Sequence, residues 1–247
     1  AILLGGHAAS SAYWYDTGIF VTSSYYQSKN PLWLQAFNAQ KLPKQHFGKL
    51  WEPLPVNVAT KKDLAIVQNN LGWFKSGFPH ALGGRQLRPD LGFYKSFAKT
   101  PMIDQYLANF VKELILQEKI GQRDIPDYLG ISFSALDIVG HEYGINSPEL
   151  LDTLTRLDGI ISNLLDFIDQ KIGLNRTIIV FSSDHGVAPM PEYQKAYDLQ
   201  GRRADDLDTI CWQNLLTTIS SRLGLEANWL LTDFYLDYKA IKETGLD

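Results

Sequence analysis

The sequence lacks several features that would tie it to large classes of protein. Its 247 residues include one cysteine, Cys211, which excludes an internal disulfide framework and a metal cage built from cysteines. It has no run of lysines and arginines, and its formal net charge of −4 also argues against nucleic-acid binding. The longest apolar stretches are only as long as a strand, so we predict no transmembrane helix. The remaining composition, 45% hydrophobic and 20% charged, is typical of a globular protein.

The chain is long enough for one large α/β domain or two small ones. Both of its ends look cut, and we therefore interpret residues 1–247 as a single α/β fragment of a larger catalytic domain. Residues 41–99 contain scattered prolines, glycines and aromatic residues without clear periodicity. This pattern predicts an irregular insertion, such as a cap over the edge of a sheet.

The order of elements in the second half of the chain predicts a parallel sheet. A helix begins at Thr100–Pro101, and an apolar strand follows at 128–133. Ser147–Pro148 opens a long amphipathic helix, and a strand rich in β-branched residues occupies 177–182. Strand, helix and strand form a right-handed βαβ unit with two parallel strands. We also expect strand character at 18–23 and 229–236, and helices from residue 30 and over 205–222.

An aspartate and a histidine follow each of the two strands in this unit. Asp137 and His141 follow the first, and Asp184 and His185 follow the second. Ligands of open parallel sheets bind beyond the carboxyl ends of the strands, where all four side chains are expected. Carboxylate oxygen and imidazole nitrogen suit zinc or a similar divalent ion. Two such strand ends can hold a pair of metals, the usual arrangement for displacement at a phosphoryl group.

Each motif also has a plainer interpretation when it is taken alone. Asp137 can cap a helix beside a surface histidine, and an Asp-His-Gly triplet occurs by chance; the metal hypothesis depends on the two motifs together. The other three histidines, His7, His46 and His80, have no second ligand at a suitable spacing. We interpret these three as structural or solvated.

These residues resemble the alkaline phosphatase superfamily. The resemblance is to the branch that contains type I phosphodiesterases/nucleotide pyrophosphatases and the phosphate-irrepressible bacterial alkaline phosphatases. Three stretches carry most of it: residues 132–144 around Asp137 and His141, residues 147–158 in the following helix, and residues 183–189 around Asp184 and His185. The resemblance implies a partial alkaline-phosphatase-like α/β domain, with a mainly parallel sheet flanked by helices.

The resemblance also implies a chemistry and a location. Asp137 and His141 would bind one Zn²⁺, and Asp184 and His185 the other. The nucleophilic Thr or Ser and the phosphate-holding Lys and Arg are expected upstream of this chain, and a further His ligand downstream. The intact protein would then hydrolyse a small-molecule phosphate ester through a phospho-Thr/Ser intermediate, in the periplasm or outside the cell, whereas the isolated chain would be inactive.

Two alternatives to a phosphomonoesterase stay open. Monoester and diester hydrolases of this superfamily share the metal ligands, so a phosphodiesterase or nucleotide pyrophosphatase fits the same residues. A catalytically dead domain with a binding or scaffold role is the third possibility. A Thr or Ser after an apolar strand upstream would distinguish the enzymes from the dead domain.

Overall fold

The structure is a computed structural model that describes residues 6–27, 29–55, 77–83, 87–197, 199, 201, 206–224, 235–243 and 245. It consists of two compact units, Ala1–Tyr197 and Asp198–Asp247. The single domain over residues 1–247 remains a prediction.

Helices dominate the described residues. The first unit contains α1 (Leu32–Ala39), α2 (Leu91–Phe97), α3 (Met102–Gln117), α4 (Ala135–Tyr143), α5 (Pro148–Lys171) and α6 (Pro191–Ala196), and the second contains α7 (Asp206–Leu223) and α8 (Tyr238–Glu243). Short 3₁₀ helices occur at Gly6–Ala8, Leu42–His46 and Leu174–Arg176. Among the described helices, none has both the length and the apolar character needed to cross a bilayer.

Two small antiparallel sheets account for the paired strands in the described residues. In the first, β1 (Trp14–Asp16) pairs with β2 (Ile19–Val21), and in the second, β3 (Leu50–Trp51) pairs with β4 (His80–Ala81). The tight turn between β1 and β2 needs glycine at Gly18, where φ is +91°. A Cβ there would also lie 2.4 Å from the Tyr94 ring, so the turn can pack against α2 only without a side chain.

The two long helices begin differently, although both carry a proline near the start. The start of α5 matches its sequence signal, since the Ser147 hydroxyl accepts a hydrogen bond from the Leu150 amide at 3.1 Å. In α3 the expected cap is absent. The Thr100 hydroxyl donates instead to the Phe97 carbonyl at 2.8 Å, which ties α3 to the end of α2.

A cluster of aromatic side chains forms the main core of the first unit. The rings of Phe20 and Phe110 stack with centroids 4.0 Å apart, and those of Phe37 and Tyr106 stack at 5.6 Å. All four residues are buried. The Asn38 side chain accepts from the Phe20 amide and donates to its carbonyl, at 3.0 and 2.8 Å. This amide satisfies both backbone groups of Phe20, which allows β2 to enter the core.

The predicted insertion is irregular where the structure describes it. Its regular parts are the two-residue strands β3 and β4, one 3₁₀ helix and α2, and residues 56–76 and 84–86 lie outside the described residues. Trp51 is fully buried and packs edge-on against Phe78 and against Tyr143 of α4. The insertion therefore lies on the helix that carries Asp137 and His141.

The two segments predicted as parallel strands have no assigned secondary structure, and they form no ladder among the described residues. In the second segment Ile178 is 93% exposed, Val180 86% and Phe181 79%. A parallel strand is normally covered on both faces and paired at its edges. Among the described residues these side chains have neither such cover nor a paired strand. Most of the strand expected at 229–236 lies outside the described residues.

Candidate metal centre

The first motif lies on a helix, α4, although Gly140 stands between its two residues. Ala135 and Val139 form the buried face of α4, and both are fully inaccessible to solvent. The same spacing of four residues places Asp137 and His141 together on the outer face. The His141 Nε2 atom lies 3.4 Å from Asp137 Oδ1. Helical periodicity, rather than glycine flexibility, brings this pair together.

The second motif lies in a segment without regular secondary structure, held by local hydrogen bonds. The His185 amide donates to Asp184 Oδ1 at 3.1 Å, and His185 Nδ1 lies 3.1 Å from the Gly186 carbonyl oxygen. Because a carbonyl can only accept, we assign the ring proton to Nδ1. The lone pair of the neutral ring is then on Nε2. A backbone contact of this kind is the common way in which proteins orient a metal-binding histidine.

The fold brings the two motifs to one place. The His185 Nε2 atom lies 3.7 Å from Asp137 Oδ1 and 3.8 Å from Asp184 Oδ2, across 48 residues of sequence in the first case. His141 also belongs to this cluster, because its Nε2 atom lies close to the same Asp137 oxygen. The exposed fraction of these side chains runs from 45% for Asp137 to 89% for Asp184. All four sequence-predicted site residues therefore lie together and are open to solvent.

The chemistry of this cluster suits divalent cations. With both imidazoles neutral, the two carboxylates give the cluster a charge of −2, and like charges so close together repel each other. A cation would remove that repulsion. Within the described residues, no group of three or more His, Cys, Asp or Glu side chains is arranged so that it could hold a metal ion. Metal binding by two pairs of ligands remains a prediction.

The other histidines have structural partners. His80 lies 2.9 Å from Glu149 Oε1, and Glu149 is fully buried. His46 packs against the Phe97 ring, and burial, with a smaller effect of the Lys49 charge, lowers its pKa. His7 is exposed and contacts the Tyr25 hydroxyl at 3.0 Å.

Sequence reasoning missed a buried acidic pair at the start of α5. Glu149 Oε1 accepts from His80 and from the Gly77 amide at 2.7 Å. Asp152 accepts at 2.7 Å from each of three donors, the Trp51 indole, the Leu54 amide and Arg156 Nε. We call Glu149 and Asp152, with these donors, the insertion clamp. The clamp holds both strands of the insertion against α5. The sequence did hold a signal for this pair: Glu149 and Asp152 are three residues apart on one helix face, and Arg156 follows four residues after Asp152.

Comparison with known proteins identifies the family. The model of the family "Type I phosphodiesterase / nucleotide pyrophosphatase" matches residues 4–228. The chain belongs to this family. All four predicted ligands and the insertion clamp lie within the matched residues.

Several of the named relatives of the chain are alkaline phosphatases. The chain is 32% identical to alkaline phosphatase PhoV of Synechococcus elongatus, over 100% of the chain and 47% of PhoV. It is 30% identical to alkaline phosphatase PafA of Elizabethkingia meningoseptica, over 81% of the chain and 37% of PafA. A crystal structure of wild-type PafA superposes with a TM-score of 0.77 at 26% identity, covering 99% of the chain and 47% of PafA. The fold is therefore a partial α/β domain of the alkaline phosphatase type, and the chain spans about half the length of these relatives or less.

Proposed function

We propose that the protein containing this chain is a two-zinc phosphate-ester hydrolase that acts as a phosphomonoesterase. The cluster of Asp137, His141, Asp184 and His185 carries the proposal. Two separate stretches of sequence, each with one carboxylate and one imidazole, meet within 4 Å in a chain of this family. Membership of the family and the names of the relatives support the general class of reaction.

Each residue has a role in this proposal. Asp137 and His141 hold one zinc, and Asp184 and His185 hold the other. When bound, the two metal ions supply Lewis-acid stabilisation for the attacking and leaving oxygens of the phosphate ester. Gly186 orients His185 through the Nδ1 contact, so that Nε2 is the binding atom. The four ligands contribute only two negative charges, which leaves the loaded site positive and suited to an anionic phosphate.

The covalent step belongs to a residue outside this chain. We expect a Thr or Ser there to accept the phosphoryl group, which water then removes. Without this hydroxyl, the isolated 247-residue chain should not turn over phosphate esters. The expected location, periplasmic or secreted, is part of the same proposal.

The test measures metal content and activity of the full-length protein together. We expect about two zinc ions per molecule and hydrolysis of p-nitrophenyl phosphate, both reduced in Asp184→Asn. Asp158→Asn is the matched control, because Asp158 is an exposed acid on α5 away from the cluster. Normal zinc content in Asp184→Asn, or metal loss in the control, would contradict the ligand assignment.

Two substrates distinguish the enzyme classes. Preference for bis-p-nitrophenyl phosphate over the monoester would favour the phosphodiesterase alternative, which the description of the matched family makes the second candidate. Zinc-loaded protein without activity on either ester would support the catalytically dead domain. Turnover by the isolated chain, abolished in Asp184→Asn, would contradict the assignment of the nucleophile to another part of the protein.

A further inference from the structure

Helix α4 carries two of the proposed ligands but has no cap of its own. It is nine residues long, with Asp137 in its first turn and His141 in its last. Ser134 occupies the cap position and makes no side-chain hydrogen bond to the helix. The first amides of a helix need an acceptor, and a short helix without one frays from that end. Fraying here would displace Asp137 first.

An aspartate from α3 supplies the acceptor. Asp104 Oδ1 accepts a hydrogen bond from the Ala135 amide at 3.3 Å, across 31 residues of sequence. Asp104 is 2% exposed, and its second oxygen, Oδ2, has no hydrogen-bond partner among the described residues. A carboxylate at this end of a helix also interacts favourably with the helix dipole.

The position is costly for a carboxylate. Burial raises the pKa of Asp104 to about 6, although hydrogen bonds from the Ala135 and Ser134 amides lower it in part. A neutral side chain of the same shape would avoid this cost. The hydrogen bond that Asp104 accepts from the Ala135 amide of α4 offsets part of this cost.

We propose that Asp104 is a positioning residue, which fixes the first turn of α4 and thereby holds Asp137 and His141 in place to bind one metal ion. This inference rests on the proposed function, because it assumes that these two residues are ligands. Asp104 itself does not contact the metal site. It acts through the backbone of α4, at the end nearest to Asp137.

Two substitutions of the same branched shape separate positioning from packing. Asp104→Leu removes the acceptor without leaving a cavity, whereas Asp104→Asn keeps an oxygen for the Ala135 amide. Gln105→Ala is the control, since Gln105 is the exposed neighbour on α3 and its side chain donates a hydrogen bond to Asn109 of the same helix. The probe is Co²⁺, titrated into metal-free full-length protein and followed by its visible absorption spectrum.

We expect Asp104→Leu to weaken Co²⁺ binding by about 10-fold or more, the usual effect of losing support behind a ligand. Asp104→Asn and Gln105→Ala should bind as wild type does. Amide hydrogen exchange of α4 in metal-free protein should be faster in Asp104→Leu and unchanged in Asp104→Asn. Unchanged Co²⁺ affinity in Asp104→Leu, even with a lower melting temperature, overturns the proposal.

The outcomes separate this inference from the proposed function. Wild-type protein that takes up no Co²⁺ contradicts the metal-dependent function. Wild-type uptake with equal uptake by Asp104→Leu contradicts only the positioning role. If Asp104→Leu does not fold, Asp104→Ala replaces it with the same expectation. If neither variant folds, Asp104 is a structural residue and the proposal is wrong.

Discussion

Loss of Asp152 should be among the most destabilising changes in the described part of the chain. Asp152 is 3% exposed, and it accepts hydrogen bonds from Trp51, Leu54 and Arg156, each at 2.7 Å. In Asp152→Ala the indole N–H of Trp51, which is fully buried, loses its acceptor, and Arg156 loses its ion-pair partner. Breaking a fully buried charged pair on one side costs about 3–5 kcal/mol, and since Arg156 is 27% exposed the lower end, about 3 kcal/mol, applies here. We expect a loss of this size in the free energy of unfolding.

Asp152→Asn provides a sharper version of this test. In Asp152, one oxygen serves Trp51 and Arg156 and the other serves Leu54. An amide has a single oxygen, so its NH₂ group must face a donor on one of the two sides. A hydrogen bond to a charged group is worth about 1.5–3 kcal/mol, and we expect Asp152→Asn to lose about that amount.

The assay is urea denaturation of the full-length protein. The slope of the unfolding free energy against urea concentration is compared between variants, because equal slopes show that a shifted midpoint reports a change in stability. Asp158→Ala, an exposed acid on the same helix, should change stability by less than about 0.5 kcal/mol. A double-mutant cycle of Asp152→Asn with Trp51→Phe should give a coupling energy of about 1 kcal/mol or more. A loss below about 1 kcal/mol in Asp152→Ala would refute the reasoning, since the three hydrogen bonds would then contribute little.

Three further predictions concern the candidate metal centre, the insertion clamp and Asp104. His141→Ala and His185→Ala should each abolish phosphate-ester hydrolysis by the full-length protein and lower its zinc content, but leave the melting temperature of metal-free protein nearly unchanged, because their side chains are 79% and 55% exposed; unfolding of both variants would make these histidines structural. His80→Ala should destabilise the protein by about 2–3 kcal/mol in urea denaturation, because it leaves buried Glu149 with the Gly77 amide as its remaining described donor; a neutral result would argue against the insertion clamp. The pKa of Asp104, raised from 3.8 to about 6, means that between these pH values the folded state holds a proton that the unfolded state has lost. The free energy of unfolding should therefore fall as pH rises through this window, by up to about 3 kcal/mol, and this part of the pH dependence should be absent in metal-free Asp104→Asn.

Local signals in the sequence were sufficient for some elements. The start of α5 was predictable because Ser147 and Pro148 act on their own helix, within three residues of sequence. The four candidate ligands were found because each pair follows an apolar segment, and the fold brings these pairs together. The helix at Asp137 was missed, although Ala135 and Val139 already showed the spacing of a buried helix face.

The contacts that support the site were not visible in the sequence. Asp104 reaches Ala135 across 31 residues, and Asp152 reaches Trp51 across 101. Such pairs depend on the packing of whole elements, which no local pattern records. The parallel ladder expected between 129–134 and 177–182 depends in the same way on neighbours. The apolar pattern marks segments that can form strands, whereas pairing needs a partner strand at the right distance.

The exposed run from Ile178 to Phe181 has a consequence for the behaviour of the chain in solution. Residues 177–183 carry no charge and no proline, and most of them favour strands. An uncharged segment that favours strands, and that pairs with no strand in the described part of the chain, is a template for cross-β association between molecules. Expressed by itself, the chain should therefore tend to form aggregates that bind amyloid dyes. The substitution Val180→Lys would place a charge in this segment. After centrifugation, more of the variant than of the unchanged chain should remain in the soluble fraction.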